Sequence, residues 1–174
     1  MRPSTQSGCA CKDFTITLKS RIYFTQIIQI TLITVYIVNY WLVKSEPDVF
    51  SYEQLVADGR TRWDGVRNYQ ARNNLRAMQL GDICLFYHSN IGLAVVGIAR
   101  VATEYFPDPT AEKGDWSAVE LEPYKAFTRP VPLTEIKANP VLENFGLVRN
   151  GRLSVMPASF DEFTTLLGMG QTQL

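Results

Sequence analysis

The densest chemistry in the chain lies in "GRTRWDGVRNYQARNNLRAM", Gly59 to Met78, where Arg60, Arg62, Arg67, Arg72 and Arg76 face a single acid, Asp64. The local balance is +4 in a chain of 174 residues whose net charge is zero. Three asparagines, Trp63 and Tyr69 are interleaved with these cations. Guanidinium and amide groups make paired hydrogen bonds to phosphates and base edges. An indole offers a flat face on which a nucleobase stacks, contributing about 1–3 kcal/mol. Gly65 allows close approach of the backbone. This is the chemistry of nucleic-acid recognition. With the charge balanced elsewhere, the site is local rather than spread over a polybasic surface.

Nucleophilic catalysis has less to work with. The single histidine, His88, stands four residues from Cys84, roughly 13 Å apart along one strand, so the two cannot form a nucleophile–base pair. Ser89 adjoins His88, but strand neighbours point to opposite faces. Ser45 with His88 across two strands is the one pair left. No Walker loop, dinucleotide fingerprint or paired-carboxylate spacing is present. Cys9, Cys11 and Cys84 are an odd set that fits neither a disulfide framework nor a zinc module. No metal and no cofactor are expected, and a reducing, cytoplasmic setting fits best.

These groups need a scaffold, and 46% apolar with 20% charged residues suits one globular domain. "YWLVK", Tyr40–Lys44, reads as a buried strand ended by Pro47. "SYEQ" has the form of a capping box, predicting a helix from Tyr52 to Asp58 stopped by Gly59. In "RNYQARNNLRAM", Ala71, Leu75 and Met78 fall at helical spacing as an apolar stripe, with Arg72 and Arg76 on a neighbouring outward face. Ile83–His88 and Leu93–Phe106 read as a hairpin across Ser89–Gly92, followed by a third long strand, Trp116–Phe127. Pro132–Asn139 reads as a short helix opened by proline. Gly151–Pro157 is read as a strand, and "SFDE" as a capping box opening a terminal helix that stops at Gly168. Strands with short helices between them predict an α+β fold, its curved sheet closing toward a barrel.

The first 37 residues differ in composition: no acid follows Asp13 until Glu46, and no base follows Arg21 until Lys44. Ile22–Val43 is long enough for a membrane span, but its threonines, glutamines and asparagine make a poor one. Our expectation is a non-family extension over residues 1–38 preceding a domain at 39–174. Residues 1–37 are expected to be upstream sequence read in frame, with a valine start near Val38; a genuine tail is the competing reading. No membrane attachment is expected.

"YWLVKSEP", "WDGVRNYQARNNLRAMQLGD", "FYHSN", "GLAVVGIARV" and "GRLSVMP", in this order, closely resemble the EVE domain family over about Asn39–Leu167. The resemblance implies a PUA-like fold, a mixed β-barrel with short peripheral helices. It also implies a pocket for a flipped, modified base, foremost a modified cytosine in DNA, with RNA as a further partner. Transferred position by position, it puts Lys44, Ser45, Glu46 and Pro47 at one wall and Trp63, Val66, Arg67 and Asn68 at another. Tyr87, His88 and Ser89 come from the hairpin strand, and Ser154, Met156 and Pro157 close the site. Our own assignment of roles has Trp63 stacking on the base, Ser45, Glu46 and Asn68 reading its edge, and Lys44, Arg67, Arg72 and Arg76 holding phosphates. The expected protein is a monomeric, non-catalytic, bacterial reader; a nucleic-acid-processing hydrolase of related fold is the alternative.

Overall fold

The structure, a computed structural model, describes residues 38–174. The expectations about residues 1–37, including most of the candidate span, lie outside the described residues. Among the described residues six strands form one mixed sheet: β1 (Tyr40–Ser45), β2 (Thr61–Trp63), β3 (Ile83–His88), β4 (Ala94–Pro107), β5 (Ser117–Pro132) and β6 (Val155–Ala158). Their spatial order is β2-β5-β4-β3-β1-β6. Strands β1 and β3 run parallel, and the other pairs are antiparallel.

The composition of β1 explains its place between two neighbours, β3 and β6. Trp41, Leu42 and Val43 are consecutive and all buried, as a strand covered on both faces requires. Its parallel partner can be reached only by a crossover connection. Helix α1 (Tyr52–Asp58), β2 and helix α2 (Tyr69–Ala77) supply that connection. Helix α1 keeps its predicted limits: the Ser51 side chain accepts from the Gln54 N–H, and Gly59 takes the left-handed conformation that ends the helix. The capping box is half made, because the Gln54 side chain turns instead to Asp58.

The long β4–β5 hairpin carries four register shifts along its ladder. Each adds local twist, so the sheet coils instead of lying flat. The result is the barrel-like α+β architecture that the resemblance implied, with helix replacing strand where the barrel would close. Among the described residues no ladder joins β2 to β6. Helix α2 packs on β6, β5 and β4, burying Ala71 and Leu75 as the stripe predicted, with Met78 beside them. Short helices α3 (Leu133–Ala138), α4 (Gly146–Arg149) and α5 (Phe160–Met169), with a 3-10 turn at Pro140–Leu142, complete the periphery.

Two contacts set the relation of these pieces. The Tyr52 ring lies on the backbone of Gly97, where a Cβ would come within 2.5 Å of it, and its hydroxyl donates to the Ile98 carbonyl at 2.9 Å. No side chain fits there, so α1 sits directly on the sheet. At the other end, buried Asp82 accepts from the Asn39 N–H, the Asn39 amide, the Trp41 indole and the Gln79 N–H. That carboxylate ties the start of β1 to the turn between α2 and β3.

Candidate functional site

Where β1 ends, the chain must leave a fully buried strand, and Pro47 prevents further ladder bonding. The turn that follows is closed by the N–H groups of Val49 and Phe50, both donating to the Glu46 carbonyl. It faces the segment that leads from β2 into α2. Between them opens a cleft of about 710 Å³, lined on one side by Lys44, Ser45, Glu46 and Phe50, on the other by Arg62–Arg67, and closed by Ser154. A volume of this size suits a small organic ligand.

Seven of the residues expected at the site therefore meet: Lys44, Ser45, Glu46, Trp63, Val66, Arg67 and Ser154. Ser154 is brought in by β6, which runs antiparallel to β1, and its carbonyl accepts from the Lys44 N–H at 2.9 Å. That same register carries Met156 and Pro157 away, to positions opposite Leu42 and Trp41. Met156 is buried in the core, and Pro157 is exposed farther along the strand. Asn68 caps α2, its side-chain oxygen accepting from the Ala71 N–H at 3.0 Å. Pro47 forms part of the turn without lining the cleft.

Tyr87, His88 and Ser89, at and just past the end of β3, were expected in the pocket but do not line the cleft. Tyr87 is buried beside Lys44, whose Nζ lies 5.8 Å from the ring centroid. Burial pushes the Tyr87 phenol up and the Lys44 ammonium down from their ordinary values. Ser89 donates through both its N–H and its hydroxyl to the Ser45 carbonyl. His88 accepts the Tyr52 N–H at Nε2, 3.1 Å away, which places its proton on Nδ1. Burial lowers its pKa, against a smaller opposing effect of Glu53. Although Ser45 and His88 are ladder partners, the Ser45 hydroxyl donates to the Phe50 carbonyl at 2.6 Å. The serine–histidine pair considered from the sequence is therefore not formed.

Trp63 is only 9% exposed, packed edge-to-face against Phe50 and Phe86 at 6.5 and 5.5 Å. For a tryptophan of about 250 Å² that leaves roughly 20 Å² in contact with solvent, too little for an open ring face. The free stacking platform expected at this position is instead a partly covered wall. Its Nε1 has no hydrogen-bond partner among the described residues, yet no buried side-chain nitrogen or oxygen lacks one. Trp63 lines the cleft, and among the described residues its indole N–H is left without an acceptor.

The cations are less free than their number suggests. Arg67 donates to the buried Asp108 carboxylate at 2.6 Å, to the Val66 carbonyl and to the Thr110 hydroxyl. Asp108 also accepts the Gly65 N–H at 2.9 Å, so it pins the loop that forms one wall. Arg72 and Arg76 share Asp115, which is 75% exposed. Three of the four expected phosphate ligands thus hold acids. An exposed pair contributes at most about 1 kcal/mol and exchanges readily for a phosphate, whereas the Arg67–Asp108 pair is structural.

Asp108 gives the wall a pH signature. Burial alone would raise its carboxyl, but hydrogen bonds from Thr110, Arg67 and the Thr110 and Gly65 N–H groups outweigh this and hold it at about 2. The folded value lies below the unfolded one, so the stabilisation is complete above about pH 4 and drains as pH falls toward 2. Urea melts across this window should show a loss in the parent that is smaller in Asp108→Asn. Equal acid sensitivity would remove Asp108 as the pin.

Against this geometry, comparison with known proteins is specific. The model of the EVE domain matches residues 39–169. Thymocyte nuclear protein 1 of Mus musculus is 36% identical, the match covering 78% of this chain and 75% of that protein. A crystal structure of a protein from Agrobacterium tumefaciens matches at 47% identity with a TM-score of 0.76, covering 78% and 94% of the two chains. Human THYN1, crystallised in complex with 5-methylcytosine containing DNA, matches at 34% identity and a TM-score of 0.71, covering 78% and 99%. The fold shared with these proteins is PUA-like, and the family match spans the whole cleft: the chain belongs to the EVE domain family.

Proposed function

We propose that this chain is a non-catalytic reader that draws a modified base, foremost a modified cytosine in DNA, into the cleft between Ser45 and Trp63. The observation that carries the reading is the polarity of the two walls. Ser45, which lines the cleft, has its proton committed to the Phe50 carbonyl, so its oxygen is left as an acceptor, and Glu46 lines the same wall. Trp63 offers an N–H that has no acceptor among the described residues. Acceptors on one side and a donor on the other complement a cytosine edge, whose N4 amine donates while its ring nitrogen and carbonyl accept. The human relative crystallised with 5-methylcytosine DNA supports the same ligand class.

Energetics favour binding without reaction. Extrusion of a base costs a few kcal/mol, which burial in the cleft and edge contacts offset without any bond being broken. His88 and Cys84 do not line the cleft, and the histidine's lone pair is taken by the Tyr52 N–H. Lys44 and Arg62 at the rim, with the exchangeable Arg72 and Arg76, are the groups we assign to flanking phosphates.

Ser154→Phe tests the cleft directly. Ser154 lines it, is partly exposed, and has no side-chain hydrogen bond among the described residues, so a larger ring fills the space without opening the core. Affinity for a 5-methylcytosine oligonucleotide should fall by roughly 100-fold, about 2.7 kcal/mol, with little change in melting temperature. Parent-like binding by this variant would sink the proposal. So would turnover of the oligonucleotide by the parent protein.

A further inference from the structure

Beside the cleft lies an exposed aromatic surface that the base-reading mechanism does not use. Tyr69, the first residue of α2, stacks on Trp116, which immediately precedes β5, with ring centroids 5.0 Å apart and planes at 24°. Arg72 lies 5.1 Å from the Tyr69 centroid, and Arg67 5.6 Å from that of Trp116. Despite these contacts Tyr69 stays 67% exposed, so part of its side chain still meets solvent. Beyond those two contacts, a tyrosine at a helix start gains little for the fold by standing there, since much of its apolar body is left in water.

The stack is nevertheless held in place. Gly114 has φ +91°, and a Cβ there would come within 2.8 Å of the Trp116 indole nitrogen, so only glycine lets the loop cross the ring edge. The Trp116 carbonyl accepts the Asp108 N–H at 3.0 Å, and Arg72 donates to the Asp115 carbonyl at 2.9 Å. Asp108 thus anchors both the cleft wall and the base of the stack. Arg67 lines the cleft and also lies over Trp116, which makes the two surfaces contiguous.

We propose that Tyr69, backed by Trp116, is a second stacking site that takes an unpaired base of the same nucleic-acid strand, next to the base held in the cleft. It rests on the base-reading proposal for its neighbour, but not for its own chemistry. An exposed ring bordered by guanidinium groups is what sequence-tolerant binding of single strands uses: the ring takes any base face, and the cations take the backbone. Arg72 and Arg76 can exchange Asp115 for that backbone. The preferred ligand is then a strand that is locally single, with recognition of the modified base in the cleft and general affinity on the platform.

The test uses the full chain and a short single-stranded oligonucleotide carrying one 5-methylcytosine, or cytosine in its place. Tyr69→Ala should weaken binding to both by about tenfold or more, while Tyr69→Trp retains parent affinity. Making the nucleotides flanking the central cytosine abasic should lower parent affinity to the level of Tyr69→Ala and leave that variant unchanged. The ratio between methylated and unmethylated strands should be the same in parent and Tyr69→Ala. Parent-like binding by Tyr69→Ala, or an equal loss from abasic flanks in both proteins, overturns the platform. If methylation has no effect in any protein while the flanking-base pattern holds, the cleft reading falls and the platform stands.

Discussion

Replacing Asp82 by alanine is expected to lower the unfolding free energy by about 3–5 kcal/mol, a large share of the 5–15 kcal/mol typical of a domain. The buried carboxylate gathers donors from Asn39, Trp41 and Gln79. Alanine leaves the buried Trp41 indole N–H without an acceptor, at about 1–3 kcal/mol. The Asn39 and Gln79 N–H groups, nearer the surface, recover part of their loss from water. For a domain of this length the change corresponds to roughly 10–20 °C in melting temperature. Asp82→Asn should fall between the two, because its amide keeps one acceptor but turns an NH2 group toward donors. Below its melting point Asp82→Ala should still bind nucleic acid, since Asp82 does not line the cleft. A loss under about 1 kcal/mol would mean that water replaces the carboxylate at no net cost.

What the sequence revealed and what it hid divide along local and non-local signals. Helix α1 was legible to the residue because Ser51 and Gly59 act on the few residues beside them. Strand β3 was legible because six consecutive residues are buried. By contrast, β2 is three residues long and exists only because Thr61, Arg62 and Trp63 pair with Leu121, Glu120 and Val119. No periodicity can show over so short a span. Strand β5 continues to Pro132, past the limit expected at Phe127, because Val131 and Pro132 rejoin β4 opposite Val95 and Ala94 beyond a bulge. The strand read as Gly151–Pro157 begins only at Val155, after a turn, and α5 runs through Gly168 to Met169.

The site divides the same way. Lys44–Glu46 and Trp63–Arg67 were recognisable as motifs, and Arg62, Asp64 and Gly65, which also line the cleft, sit inside the same quoted stretch. Phe50 had no signal beyond being apolar. Asp108 had none at all, since its meaning lies in meeting Gly65 and Arg67 more than forty residues away. That contact also explains the surplus of arginine: one guanidinium is architectural, and two more share an acid that the local count could not see.

Trp63→Phe is expected to reduce affinity for a cytosine-containing oligonucleotide by about tenfold or more while the protein stays folded. The alanine variant cannot make the case alone. Removing an indole packed against Phe50 and Phe86 costs about 3–5 kcal/mol of stability, so lost binding would have two explanations. Phenylalanine keeps an aromatic ring between those neighbours, at about half that cost or less, but removes the N–H. If that group donates to the base, its loss leaves a desolvated acceptor unpaired, at about 1–3 kcal/mol. Methylation at the carbon edge does not alter the cytosine carbonyl or ring nitrogen, so the penalty should be equal for methylated and unmethylated strands. Ser154→Phe, which removes the space itself, should abolish the difference between the two strands. Parent-like affinity in a well-folded Trp63→Phe protein would reduce the indole to an apolar wall, and the donor would have to be sought in the backbone of the Asp64–Arg67 loop.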